Sequence, residues 1–376
     1  MPLIYLIAGE QSGDILGSRL MQAIRARRAD VTFAGVGGAA MQMQGLCSLF
    51  EMRELSLMGL VEVLPRLRRI RSLLRQTVAD IRTRRPDVLV TIDSPGFTLR
   101  VLKATGAQGP RRIHYVAPQV WAWREGRVKH YPGLWDDLLC LLPFEVPFFA
   151  RHHLPARFVG HPVLESGAEA GDAARFRRRH AIGDQARVVT IMPGSRQSEV
   201  SRLLPVLEAT LARIDEPLVP VLPLAGPVED IVRRKTGQWP IPPILISDSA
   251  EKFDAFAASA AALTKSGTST LELAMAGVPM LVTYQVNPIS AWVGRRVIKV
   301  KYASIVNLVL DRPVVPELLQ EHGKPEQLAV ELRRLLHDPA AVAAQRAGFA
   351  EALALLRPPM GTPSDCAAAA VLEMLG

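Results

Sequence analysis

The sequence predicts an α/β protein made of two doubly wound, Rossmann-like domains, and two observations predict it. Short runs rich in Val, Ile and Leu alternate with longer segments of helical period, the pattern of parallel sheets covered by helices on both faces. The alternation stops after His161-Pro162 and restarts at Val188, so one chain carries the pattern twice. In the first half, strands are expected at Ile4 to Ala8, Thr32 to Val36, Val88 to Ile92, Arg112 to Val116 and Asp137 to Leu142, with helices at Ile15 to Arg27 and Pro65 to Thr83. In the second, strands are expected at Val188 to Met192, Pro220 to Leu224, Ile244 to Ile246, Ala261 to Thr264 and Met280 to Tyr284, and the Ala- and Leu-rich tail from Pro325 onward reads as helical. Between the halves, Glu165 to Arg187 is rich in Ala, Gly and charge and has no strand signal, which separates residues 1–165 from 186–357. Two such units facing each other are expected to leave a cleft at the carboxyl ends of their strands, where sheets of this kind bind ligands.

Composition narrows the classes of function. Of the 376 residues, 49% are hydrophobic and 22% charged, enough core for two or three domains and far from a disordered, collagenous or coiled-coil chain. Lys and Arg number 45 against 36 for Asp and Glu, and the net charge of +9 favours an anionic partner: nucleic acid, a phosphorylated ligand or an acidic membrane. Cys47, Cys140 and Cys366 have no zinc-site spacing and are expected as reduced, packed thiols in a cytosolic protein. Met1 to Gly9 lacks the basic start and long apolar run of a signal peptide and reads as a first strand. The longest uncharged run, Leu273 to Gly294, is interrupted by Gly277, Pro279, Gln285, Asn287 and Pro288, so no spanning helix is expected there.

Four turns at strand ends carry residues suited to chemistry. Ala8-Gly9-Glu10-Gln11-Ser12-Gly13-Asp14 lets the backbone approach a ligand, and Ser12 or Asp14 suits a helix cap; an ordinary strand-to-helix turn uses the same residues. Asp93, in Val90-Thr91-Ile92-Asp93-Ser94-Pro95, follows an apolar strand, the place for a general base or for a capping aspartate. Met192-Pro193-Gly194-Ser195-Arg196, with Glu199 one turn on, offers amides and a guanidinium to phosphate oxygens, although no Walker Gly-Lys-Ser/Thr follows; a plain turn with a surface Arg is the competing reading. Thr264-Lys265-Ser266-Gly267-Thr268-Ser269-Thr270-Leu271-Glu272 places four hydroxyls around one glycine and a carboxylate beyond, which suits a diphosphate and the two hydroxyls of a ribose.

Other features are physical rather than catalytic. Met58, Leu60, Val61, Val63 and Leu64 precede Arg66, Arg68, Arg69, Arg71 and Arg75, which interleave with Leu67, Ile70, Leu73 and Leu74. An apolar patch beside cations suits an anionic bilayer, and a buried helix with a solvated basic face has the same pattern. His114, Tyr115, Trp121 and Trp123 carry no nucleic-acid module spacing, and His152-His153 has no matching metal ligand.

Together these motifs resemble the lipid A disaccharide synthase family, bacterial glycosyltransferases of the two-domain B-type fold. The resemblance runs nearly end to end through Ala8-Gly9-Glu10, Ser12-Gly13-Asp14, Met58-Gly59, Glu62-Val63-Leu64, Ile92-Asp93-Ser94-Pro95, Trp121-Ala122-Trp123-Arg124 and Leu142-Pro143-Phe144-Glu145. It continues in Phe158-Val159-Gly160-His161, Pro193-Gly194-Ser195-Arg196, Ser266-Gly267-Thr268 and Pro316-Glu317-Leu318-Leu319-Gln320. It implies transfer of the sugar of UDP-2,3-diacylglucosamine to the 6-hydroxyl of 2,3-diacylglucosamine 1-phosphate, with inversion and release of UDP, and it implies no metal and no other cofactor. Asp93 would be the general base. Arg196 and the Ser266 to Thr270 turn, with Gly194 and Ser195, would hold the diphosphate, Glu272 the ribose, and Asn307 would lie near the donor. Ser12, Gly13 and Asp14 would line the acceptor side. Residues 1–165 would face acceptor and membrane, 186–357 would bind the donor, and residues 358–376 would form a helix returning to the first domain. The Met58 to Arg69 patch would rest on the anionic cytoplasmic face of the inner membrane.

The chain departs from the family's Pro-Asp-Phe-Asn after the aspartate, having Gly96 and Thr98 where that pattern has Asp and Asn. Two rival readings stay open: another UDP-N-acetylhexosamine transferase or epimerase of the same architecture, and a non-catalytic basic protein bound to membrane or nucleic acid. Dimerisation through the helical tail is also left open.

Overall fold

The computed structural model describes residues 1–56, 63–106 and 108–376, with the backbone alone at 56, 63–67, 288–290, 293 and 295. Two compact units emerge, Met1–Pro162 with Leu356–Gly376, and Val163–Leu355.

The first unit holds a six-stranded parallel sheet of β1 (Leu3–Ala8), β2 (Thr32–Val36), β3 (Val88–Ile92), β4 (Arg111–Tyr115), β5 (Asp137–Cys140) and β6 (Arg157–Phe158), in the order β2-β1-β3-β4-β5-β6. Its central strands are largely apolar because both faces are covered. On β1 the period of two is explicit: Tyr5 and Ile7 join one buried cluster, while Ile4, Leu6 and Ala8 join the one on the other face. The helix Val63–Arg84 lays Ile70, Leu73 and Leu74 against the first of these clusters. The helix Pro363–Glu373 returns to the second cluster, where Ala367, Ala368, Ala370 and Val371 are buried against the helix Gln11–Arg27.

The second unit repeats the design with β7 (Arg187–Met192), β8 (Leu218–Pro223), β9 (Ile244–Ile246), β10 (Ser259–Lys265), β11 (Met280–Tyr284) and β12 (Glu317–Leu319), ordered β12-β11-β10-β7-β8-β9 and parallel throughout. Val189, Ile191, Ala261, Leu263 and Leu281 form its main cluster with the helices Gln197–Leu211 and Pro325–His337. The run Leu273 to Gly294 is divided among the helix Ser269–Met275, β11 and the helix Pro288–Val297. Among the described residues no helix is long and apolar enough to cross a membrane.

The strand orders create one switch point per sheet. In the first unit the chain runs from β1 outward to β2 and from β3 outward through β6. In the second it runs outward from β7 and, in the other direction, from β10. Loops leaving the paired strands β1/β3 and β7/β10 therefore part to opposite faces, and a crevice opens beyond the carboxyl ends of those strands.

Candidate functional site

All four chemistry-bearing turns lie at these switch points. In the first unit Gly9 follows β1 and Asp93 follows β3, and the two turns touch: a Cβ on Gly9 would lie 2.5 Å from Ser94 Oγ. Asp93 and Ser94 both adopt left-handed backbone, with φ of 49° and 46°, a costly conformation for residues with side chains. The surroundings hold it in place. The Asp93 N–H donates to Tyr115 O at 2.9 Å, and Thr98 Oγ1 donates to Asp93 O at 2.6 Å and to Ser94 O at 3.0 Å, while Pro95 opens the helix Pro95–Thr105. Thr98 thus fastens the turn from the position where the resembled family has Asn. Burial raises the Asp93 carboxyl above the ordinary carboxylate value, against the opposing pull of the Ser94 amide.

Beneath this turn, Thr91 Oγ1 and His114 Nδ1 lie 2.8 Å apart, and the His114 ring stacks on Trp135 with centroids 5.8 Å apart. His114 and Tyr115 are core residues of β4, and burial pushes the imidazole down to about 3, which keeps it neutral. Beyond β5 the buried Glu145 accepts from Trp121 Nε1 at 3.0 Å and from the amides of Leu141 and Leu142 at 3.1 and 3.0 Å. Burial still pushes its carboxyl up to about 7. Trp121 is thereby an anchored, half-buried side chain, whereas Trp123 is exposed with the Arg124 guanidinium 3.9 Å above its ring.

Several sequence expectations change here. Asp14 is buried, and its carboxylate accepts from Gly38, Ala40 and Met41 amides at 2.8, 2.9 and 3.0 Å. It caps the helix Ala39–Met43 instead of facing solvent or its own helix start, while Ser12 is exposed and Gly13 packs beside Ile92. Of the membrane patch, Met58, Leu60 and Val61, and the side chains of Val63, Leu64 and Arg66, lie outside the described residues. Arg68 and Arg69 are exposed, but Arg69 is paired with Glu54 at 2.6 Å, and Ile70, Leu73 and Leu74 serve the core of their own unit. Cys140 is packed as expected; Cys47 is exposed.

In the second unit the turn after β7 and the turn after β10 are joined by one buried carboxylate. Glu199, in the first turn of the helix Gln197–Leu211, accepts from the Arg196 N–H at 3.3 Å, and its Oε1 lies 3.4 Å from Arg196 Nη1 and 3.2 Å from Lys265 Nζ. Gly194, at φ 112°, leaves room for this: a Cβ there would meet Glu199 Oε2 at 2.5 Å. Ser195 and the Arg196 side chain are exposed.

The four hydroxyls of the other turn divide. Ser266 Oγ donates to Ala303 O at 2.6 Å and Thr270 Oγ1 to Gly267 O at 2.8 Å, so these two shape the turn, while Thr268 is exposed and Ser269 half-buried. Glu272 holds Lys252 Nζ at 3.0 Å from each oxygen and keeps further acceptor capacity.

Asn307 is a correction. It is fully buried, its Nδ2 donates to Val315 O and Glu317 Oε1 at 2.8 and 2.7 Å, and its Oδ1 accepts from the Val314 and Val315 amides at 2.9 Å each. All its hydrogen-bonding capacity is spent inside the unit, so in this structure it positions the chain entering β12. Sequence reasoning gave no role to three charged residues: Glu145 and Lys265, which lie within its motifs, and Lys252, which does not. Lys265 had a signal, since it ends a strand directly before Ser266.

Two parallel α/β units, each with its chemistry-bearing turns at the carboxyl ends of its switch-point strands, define the two-domain B-type glycosyltransferase fold. Solved structures agree on the fold. The kitacinnamycin glycotransferase aligns with a TM-score of 0.65 at 17% identity over 100% of both chains. The UDP-GlcNAc 2-epimerase from Neisseria meningitidis, bound to UDP-GlcNAc, aligns with 0.64 at 13% identity over 100% of this chain and 99% of its own. The family model described as lipid-A-disaccharide synthetase matches residues 4–371. The lipid-A-disaccharide synthase of Gluconobacter oxydans is 55% identical over 99% of this chain and 91% of its own length. The chain belongs to the lipid-A-disaccharide synthetase family and is a glycosyltransferase that forms the lipid A disaccharide.

Proposed function

We propose that the chain transfers the sugar of UDP-2,3-diacylglucosamine to the 6-hydroxyl of 2,3-diacylglucosamine 1-phosphate, with Asp93 as general base. The observation that carries this reading is the Asp93 turn, a carboxylate held in strained left-handed backbone at the β1/β3 switch point, its pKa raised by burial above the ordinary carboxylate value. As the acceptor oxygen bonds to the anomeric carbon, its proton passes to Asp93. The bond from that carbon to the β-phosphate oxygen breaks, the configuration inverts and UDP leaves. Arg196 and the amides and free hydroxyls of the Thr268 and Ser269 turn neutralise the charge gathering on the diphosphate, which needs donors already in place. Glu272 accepts from the ribose while paired with Lys252. Ser12 and Gly13 border the acceptor, and Asp14 holds the next loop in register. Peripheral binding to the anionic cytoplasmic face of the inner membrane follows from two diacylated substrates and a net charge of +9, with Arg68, Arg71 and Arg75 exposed on one helix.

The test is UDP release in detergent micelles, with and without acceptor, with chelator present, for the parent chain and Asp93→Asn. Release that depends on acceptor, survives chelation and falls roughly 10²–10⁴-fold in the variant is the expected result. Release indifferent to acceptor and to Asp93 overturns the proposal.

A further inference from the structure

We propose that Lys265 is a second cation of the diphosphate site, held in place by Glu199. The inference rests on the reading of the β7/β10 switch point as the place where the diphosphate binds.

Its surroundings locate the ammonium. It lies 3.2 Å from Glu199 Oε1. A Cβ on Gly267 would stand 3.7 Å from Lys265 Nζ, and one on Gly194 would stand 3.1 Å from Lys265 Cδ, so both glycine turns border this side chain. On a further side the ammonium is 5.9 Å from the centre of the Tyr284 ring. Lys265 therefore lies where the two phosphate-suited turns converge, on the last residue of a central strand, and its side chain is only 20% exposed. Arg196, the cation legible in the sequence, is 75% exposed and sits on a loop.

Charge gives the pair its purpose. A carboxylate as buried as Glu199 needs cationic partners, and it has two, Arg196 and Lys265. One negative charge between two positive ones leaves the group cationic. A nucleoside diphosphate carries one more phosphate than a monophosphate, and a rigid ammonium at the second turn is suited to that phosphate. Glu199 is then a positioning residue: it fixes both cations before the ligand arrives, so little reorganisation accompanies departure of the diphosphate.

The purely structural alternative is that Lys265 only neutralises Glu199. Calorimetric titration of the full chain with UDP and with UMP separates the two. Lys265→Met is expected to weaken UDP roughly ten- to a hundredfold, as loss of a charged hydrogen bond does, and UMP far less, with Lys265→Arg keeping most of the preference for UDP. The double variant Lys265→Met with Glu199→Gln, which removes both members of the buried pair, is expected to fold and to show the same loss of preference. Equal changes for UDP and UMP, or none, in both variants overturn the proposal. A parent chain that binds UDP no better than UMP, or an Arg196→Gln variant with unchanged UDP affinity, overturns the underlying diphosphate reading instead.

Discussion

At the residue scale, Asp93, the proposed general base, is held in place at a cost in stability. The folded chain prefers the protonated carboxyl because burial raises its pKa, and that preference stabilises fully below the ordinary carboxylate value and is lost as pH rises through the raised one. At neutral pH the ionised group therefore burdens the fold. Asp93→Asn, inactive or nearly so, is expected to melt higher than the parent chain near neutrality, with the gap closing as pH falls toward about 4. Equal melting temperatures across that range in scanning calorimetry would show that the carboxylate is solvated in the folded state. The position of Asp93 was legible because it directly follows an apolar strand and so falls at the carboxyl edge of the sheet. The internal bonds of Asn307 were not legible because its partners come from later chain: Val314 and Val315 supply the amides and Glu317 an acceptor, and no local pattern announces that closure.

At the element scale, the two strand-end turns of the first unit act as one object. Gly9 is needed because Ser94 Oγ and Cβ would lie 2.5 and 2.7 Å from any added methyl group. Gly9→Ala is expected to cost about 1–3 kcal/mol, as overpacking does, and to lower turnover by moving Asp93. Adding Ser94→Gly removes the clashing atoms and one strained φ, and is expected to restore part of both losses. Additive effects in a double-mutant cycle of melting temperature and turnover would refute the coupling. The long central strands were readable from their apolar runs, and β2, β3, β9 and β11 fall on the expected residues. The edge strands β6 (Arg157–Phe158) and β12 (Glu317–Leu319) were not, because each is short and contains a charged residue, unlike the equally short but wholly apolar edge strand β9.

At the scale of the whole molecule, the chain crosses from the first unit to the second and returns. The helix Pro363–Glu373 belongs to the first unit, where Val371 is fully buried, and burying one such side chain is worth about 1.5–3 kcal/mol. Its surface pairs, Arg157 with Glu373 at 2.7 Å and Arg27 with Asp365 at 3.2 Å, add little beside that. A chain ending at Arg357 is expected to lose amide-exchange protection in 1–162 and to keep it in 163–355. Uniform loss would mean that the two units unfold as one.

The sequence by itself determined the class of fold, because hydrophobic period and strand-end turns are local signals that each segment carries alone. It also located the carboxylate and the phosphate-suited turns, since such groups follow strands directly. The tertiary structure decided which of these groups are free to act. Asp14 and Asn307 had the right chemistry in the right motifs, yet Asp14 accepts from the amides of a loop 24 to 27 residues on and Asn307 is tied to Val314, Val315 and Glu317. Lys265 became a candidate when folding set two glycine turns and a buried carboxylate around it. A polar side chain's function depends on what remains unpaired after folding, and that is settled by contacts between segments far apart in the chain.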